Sequence, residues 1–206
     1  MTGPGSLAAS LRSPYVAAVD GNSLAGVHMT HYAAFLRGVN VGGVNLKMAE
    51  VAAALSAAGF SAVRTLLASG NVLLESPSDA GVVRGKAEAV LREKFGYDAW
   101  VLVYDIDTVR AIVDGYPFEP DRAAHQSYVT FVSDRAVFDE LAALQAGPGE
   151  KISRGPDLAG VIYWQVAKGA TLDSTIGKAM GKPRYKSSTT TRNLRTLTKV
   201  LQMAGK

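Results

Sequence analysis

Apolar residues recur along this chain with two alternating periods, and the switches between them lay out its elements. From Tyr32 to Val39 aromatic and branched residues run into a Gly/Asn-rich stretch, which predicts a buried strand followed by a loop. Met48, Val51, Ala52 and Leu55 then fall at helical spacing within Lys47 to Ala58, and Gly59 stands where a helix C-terminal stop belongs. Phe60 to Ala68 and Asn71 to Glu75 are strand-like runs joined at Ser69-Gly70, a hairpin signal. Asp79 is an N-cap candidate for a helix carrying Val83, Ala87, Val90 and Leu91 to Phe95, with Gly96 ending it, and Trp100 to Tyr104 closes the series as a strand. The resulting order of strand, helix, strand, strand, helix, strand is that of a split βαβ, or ferredoxin-like, unit.

Asp105 can cap a short helix through Val109 and Ile112, which Gly115-Tyr116-Pro117-Phe118 breaks into a connecting loop reaching about Gln126. Beyond it Tyr128 to Val132 reads as a strand, Asp134 caps a helix with Val137, Leu141 and Leu144, and Gly147-Pro148-Gly149 stops it. Lys151 to Arg154 and Gly160 to Ala167 are strands around a Pro156-Asp157 turn, and Asp173 begins a helix through Ile176 and Met180. Tyr185 to Ser188 is read as the fourth strand, with Thr190 or Thr191 capping a last helix whose stripe is Leu194, Leu197 and Leu201. The expected fold is therefore α+β: two ferredoxin-like (βαββαβ) subdomains arising by duplication, with antiparallel sheets and helices packed on them. They span residues 29–104 and 127–206, joined by a helix and loop over 105–126. Residues 1–28 are Gly/Ser/Ala-rich and aperiodic, lack the parts of a signal peptide, and are expected to be a disordered or appended leader.

With 206 residues, 48% of them hydrophobic and 19% charged, the chain can build one substantial core or two small ones, which excludes a disordered protein. Its longest apolar runs, such as Val101 to Val103 and Val161 to Trp164, fall well short of the roughly 20 residues a membrane helix needs. No membrane partner is expected. Cysteine is absent, which excludes disulfides, thiol catalysis and cysteine-ligated zinc and suits a reducing cytoplasm, the expected location. The net charge of +4 is unevenly placed: Lys178 to Lys206 holds 8 Lys/Arg and no acid, while the remaining 14 basic residues face 18 acidic ones. That asymmetry points to an anionic partner for the C-terminal end, whether nucleic acid, a phosphorylated ligand or an acidic protein.

Three short polar motifs carry the candidate chemistry. Arg37 to Asn45 links the first strand to the first helix, with Gly38, Gly42 and Gly43 permitting close backbone approach and Asn40 and Asn45 tolerating left-handed turns. Its spacing matches neither a dinucleotide fingerprint nor a P-loop. Arg64 stands in a strand from which its guanidinium can reach toward the same end, and Ser69 and Asn71 flank a hairpin glycine whose turn chemistry needs no ligand. Thr189 to Arg195 sits at the expected start of the last helix, where Thr190 and Thr191 hydroxyls, the Arg192 charge, Asn193 and exposed N–H groups can receive an anion together. Arg192, Arg195 and Lys199 follow a three-then-four spacing and are expected to be exposed on one face of that helix.

His28, His31 and His125 show no ligand-like spacing with carboxylates, so no metal site is supported. No serine, histidine and acid form an interpretable set, which leaves catalysis, reaction and cofactor open. Two functional readings remain. One is a binding module for nucleic acid or another polyanion, acting through the basic C-terminal region. The other is an enzyme or sensor for a small phosphorylated or carboxylated metabolite, held by Arg37, the Gly42-Gly43 loop and Arg192. A purely structural reading has the polar motifs fixing turns between the two halves.

The sequences A-F-L-R-G-V-N-V-G-G at Ala34 to Gly43, A-S-G-N-V at Ala68 to Val72, Tyr116-Pro117-Phe118, and T-T-R-N at Thr190 to Asn193 occur in that order. In these motifs the chain from Tyr32 onward resembles the bacterial family catalogued as domain of unknown function 1697. The resemblance implies a compact α+β protein of two ferredoxin-like halves, with no established biochemical activity. The chain departs from the family's habit at Leu194, where an aromatic residue is common, and at Thr175, where a basic residue often follows the serine corresponding to Ser174.

Overall fold

The computed structural model describes residues 28–39, 45–119, 123–156 and 160–205. The leader expected over 1–28 lies outside these residues except for His28, as do Asn40, Gly42 and Gly43. The first half runs β1 (Thr30–Arg37), α1 (Met48–Ala57), β2 (Ser61–Leu66), β3 (Asn71–Ser76), α2 (Ala80–Phe95), β4 (Trp100–Asp105) and α3 (Ile106–Asp114). The second half runs β5 (His125–Val132), α4 (Arg135–Ala142), β6 (Lys151–Arg154), β7 (Val161–Ala167), α5 (Thr175–Met180), β8 (Thr189–Asn193) and α6 (Leu194–Ala204). Three of the expected aspartate caps form: Asp79, Asp105 and Asp134 accept from the amides of Val82, Thr108 and Val137 at 3.0, 2.7 and 3.0 Å. Gly96 ends α2 in the left-handed conformation, its N–H bonded to the Arg92 carbonyl.

The last stretch differs from the sequence reading. Tyr185 to Ser188 is not a strand; Pro183–Tyr185 forms a single 3₁₀ turn. Thr189, Thr190 and Thr191 do not cap a helix but are in β8, paired antiparallel with β5 from Val132↔Thr189 to Tyr128↔Asn193. Three consecutive β-branched residues favour a pleated strand over a helix start, and the Thr191 and Thr130 hydroxyls meet across the ladder at 2.8 Å. The cap lies two to three places later, where Asn193 Oδ1 accepts from the Arg195 amide at 3.0 Å. The α5 cap is also displaced by one, from Asp173 to Ser174.

The strands form two four-stranded antiparallel sheets, ordered β2-β3-β1-β4 and β6-β7-β5-β8. Both faces of each central strand are apolar, so residues of opposite parity serve different cores. Tyr32, Ala34 and Leu36 of β1 pack with Val51 and Leu55 of α1 and Val83 and Leu91 of α2. Ile162, Trp164 and Val166 of β7 pack with Phe138 and Leu141 of α4 and Ile176 of α5. The remaining faces meet each other. Ala33, Phe35, Leu73 and Leu102 share one core with Val129, Phe131, Val161 and Tyr163, closed by Val109 and Ile112 of α3 and Leu197 and Val200 of α6. Phe35 and Phe131 stack across it with ring centroids 4.7 Å apart, and Tyr104 lies 4.9 Å from Phe131.

A core contributed jointly by both sheets couples their stabilities. Replacing Phe131 by alanine is expected to cost about 3–5 kcal/mol in urea unfolding. Trp100 of β4 and Trp164 of β7 report separately on the two sheets. Their single-tryptophan variants are expected to give coincident unfolding midpoints, which two independently stable halves would not.

Candidate functional site

The three polar motifs converge, and they do so on Arg192. In β8 the side chains of Thr190 and Arg192 share a face, and the guanidinium reaches from the second sheet onto the ends of β1 and β3 in the first. All five of its N–H groups are used. Nε donates to Asn71 Oδ1 at 2.6 Å; Nη1 donates to Thr190 Oγ1 at 2.8 Å and the Thr191 carbonyl at 2.9 Å. Nη2 donates to the Leu36 and Gly70 carbonyls at 2.7 and 3.1 Å. The guanidinium carbon lies 5.4 Å from the centre of the Phe35 ring. Asn71, only 1% exposed, donates from Nδ2 to the Leu66 carbonyl at 2.8 Å and to Ser69 Oγ at 3.0 Å. Beside it Arg37 Nη1 donates to the Thr189 carbonyl and to Thr189 Oγ1, the latter at 3.1 Å.

Sequence reasoning placed Arg192 exposed at a helix start, and the structure corrects that: it is 7% exposed and belongs to a strand. Every acceptor around it is neutral. Burial and the nearby Arg37 charge pull its pKa down to about 10, which still leaves it protonated at neutral pH. Burial also lowers the pKa of Arg37. With all its donors consumed internally, Arg192 has nothing left for an anion. Gly70 is part of the same arrangement: at φ +74° it brings its carbonyl to the Leu36 amide at 2.8 Å, and a Cβ there would lie 2.8 Å from Leu36 Cβ. This knot joins the sheets.

The other expected site residues scatter. Arg37, Ser69, Asn71, Thr190, Thr191 and Arg192 meet in the knot, whereas Asn45 is exposed before α1 and Lys199 is exposed along α6. Arg64 is half-buried in β2, bordering a small crevice with His31, Glu75 and Ala204. The expected common face of Arg192, Arg195 and Lys199 does not form, because Arg192 precedes the helix and points inward.

Asn193 and Arg195 belong to a separate cleft of about 480 Å³. Its walls are the Tyr116 to Glu119 loop, the start of β5, Lys168 after β7 and the first turn of α6. Tyr116 donates its hydroxyl to the Trp164 carbonyl at 2.9 Å, and Gln165 Nε2 donates to the Glu119 carbonyl at 2.8 Å, so both ends of the loop are tied to β7. Burial raises the Tyr116 pKa and keeps the phenol protonated. Gln126 Oε1 accepts from Thr171 Oγ1 at 2.7 Å and Tyr128 OH at 2.9 Å, and Asn193 Oδ1 accepts from the Arg195 amide. Gln126 Oε1 has both acceptor sites used, so its NH₂ group is what that side chain can offer a ligand. Among the described residues neither Lys168 nor Arg195 has a carboxylate within ion-pair distance. The cleft lining thus includes two cations, Lys168 and Arg195, and one acid, Glu119. Lys168 and Gln126 were missed in the sequence because nothing local marks them; the Tyr116-Pro117-Phe118 triplet carried the available signal but read as a linker.

Residues 29–156 match the family described as Protein of unknown function (DUF1697), and the chain belongs to that family. No curated protein matches it. Among solved structures it is similar to a conserved bacterial protein from Streptococcus pneumoniae, at 22% identity and a TM-score of 0.72, over 87% of this chain and 100% of that one. At that identity the likeness concerns the fold. Among the described residues no group of three or more His, Asp and Glu could hold a metal, and no helix is long and apolar enough to cross a membrane.

If Arg192 is a structural tie, its removal must show in stability. Arg192→Ala leaves Asn71 Oδ1 and the Leu36 carbonyl without their buried donor and is expected to cost about 3 kcal/mol or more. Arg192→Lys should recover less than half of that, since a single ammonium cannot span acceptors arranged for a planar fork. Arg195→Ala, at an exposed position, should change stability by less than about 0.5 kcal/mol in the same denaturation series.

Proposed function

We propose that this DUF1697 protein binds a small anionic metabolite in the cleft between the Tyr116 to Glu119 loop and the start of α6. The observation that carries the reading is the make-up of the lining: Lys168 and Arg195, which have no carboxylate at ion-pair distance among the described residues, and the amides of Gln126 and Asn193 border one volume of about 480 Å³, with Glu119 as its acid. That volume falls in the range of roughly 300–1,000 Å³ common for small-molecule sites. A phosphate or carboxylate presents several acceptor oxygens and a charge to match.

We read the two sheets as ferredoxin-like units related by duplication, spanning 29–104 and 127–206. Support comes from the shared element order and the matching strand orders β2-β3-β1-β4 and β6-β7-β5-β8. Each unit also ends in a helix, α3 or α6, packed in the core between the sheets. A cytoplasmic location fits the absence of cysteine. The polyanion reading is weakened because Arg192 is consumed inside the protein and Arg184 pairs with Glu140. Among the described residues the exposed remainder of the basic set is Lys178, Lys182, Lys186, Arg195 and Lys199.

A ligand that binds only the folded state raises its melting temperature. Ribose 5-phosphate at millimolar concentration is expected to raise the melting temperature by several degrees, and the double variant Lys168→Ala/Arg195→Ala should abolish the rise while melting normally without ligand. An undiminished rise in the double variant would move binding elsewhere. Salt-sensitive retention on heparin, with no response to ribose 5-phosphate, would instead favour the polyanion reading.

A further inference from the structure

We infer that the ligand of this cleft is a heteroaromatic compound bearing an oxyanion, of the size of a nucleoside monophosphate, an inference that rests on the cleft being the anion site proposed above. An oxyanion alone does not account for what lines it. The volume of about 480 Å³ far exceeds a phosphate, and one wall is aromatic: Phe118 lies edge-on to Tyr116 with centroids 5.5 Å apart and an interplanar angle of 90°. Tyr116 in turn lies edge-on to Tyr163 at 5.5 Å. Both tyrosine hydroxyls are committed, Tyr116 to the Trp164 carbonyl and Tyr163 to the Ile112 carbonyl at 2.7 Å, so these rings are held rigidly and act as backing. Phe118 is half-buried, lines the cleft and carries no polar group; Lys151 Nζ lies 5.8 Å from its ring centre, so a ligand ring would share Phe118 with that ammonium.

Gln126 supplies the second element. Two hydroxyls, from Thr171 and Tyr128, hold its oxygen, and Tyr128 is itself stacked on Trp164 at 4.3 Å, so the amide cannot turn over without losing both bonds. An amide held by its oxygen keeps its NH₂ group to offer, which reads an acceptor such as a ring nitrogen or ring carbonyl and rejects a plain hydrocarbon ring. Lys168 and Arg195 then serve the oxyanion. Apolar face, oriented donor and paired cations in one volume match a planar heterocycle joined to a phosphate or carboxylate.

Calorimetric titration with AMP, UMP, nicotinate, adenosine and ribose 5-phosphate tests this in the full-length protein. AMP, UMP or nicotinate is expected to bind at least tenfold more tightly than ribose 5-phosphate; which of them does so separates a mononucleotide from a small aromatic acid. Phe118→Leu and Gln126→Glu should each remove most of that advantage. Equal binding of ribose 5-phosphate and the aromatic probes, or an advantage untouched by both variants, overturns the heteroaromatic inference and leaves the anion site standing. Adenosine binding as tightly as AMP overturns the anion site itself, and no binding by any probe overturns both.

Discussion

The arrangement of this protein turns on one buried guanidinium. Arg192 crosses from the second sheet to the first, and its five donors meet five acceptors drawn from Leu36, Gly70, Asn71, Thr190 and Thr191. Transferring a charged group out of water is costly unless each of its donors is met, and here each is met by a neutral group. Burial and the like charge of Arg37 both disfavour the charge on Arg192, as its lowered pKa reflects, and among the described residues the knot holds no counter-ion. Such a group is stable only when its acceptors are held in place. The β2–β3 turn, the end of β1 and the path of β8 are therefore mutually determined: displacing any one of them strands a buried polar atom.

That constraint reaches the cleft by a single step along the chain. Asn193 follows Arg192 directly and is at once the last residue of β8, the cap of α6 and part of the cleft wall. Arg195 enters the same wall from the first turn of that helix. A second line of support comes through β7, whose Tyr163 lies in the core between the sheets while the Trp164 carbonyl and the Gln165 amide tie down the Tyr116 to Glu119 loop. The cleft sits where these two rigid elements end.

The distribution of charge shows how far composition carries. An excess of eight basic residues over the last 29 looks like one electrostatic feature in the sequence. In space it separates into a buried tie at Arg192, a surface ion pair at Arg184, cleft and helix cations at Arg195 and Lys199, and exposed lysines at Lys178, Lys182 and Lys186. Lys168, which lies before that segment, joins Arg195 across the cleft wall. Net charge describes the surface only after the inward-facing members are known.

Local chemistry was enough to read most of the elements. Aspartates at helix starts, the stop at Gly96, the hairpin at Ser69-Gly70 and the apolar periods of β1, α2, β4 and β7 are set by interactions within a few residues, so they are legible along the chain, as is the α+β class with antiparallel sheets. The path after Pro183 was not. There Thr189 to Asn193 reads along the chain as a helix start, and pairing with β5, some sixty residues away, makes it a strand. The same holds for the site. Arg37, Asn71 and Arg192 were recognisable as unusual polar residues in apolar surroundings, yet whether they face a ligand or each other depends on how two sheets stack. Hydrogen-bond partners separated by more than a hundred positions leave no local mark, and only the packing of Phe35 against Phe131 brings these motifs close enough to satisfy one another, leaving the cleft beside Asn193 to other side chains.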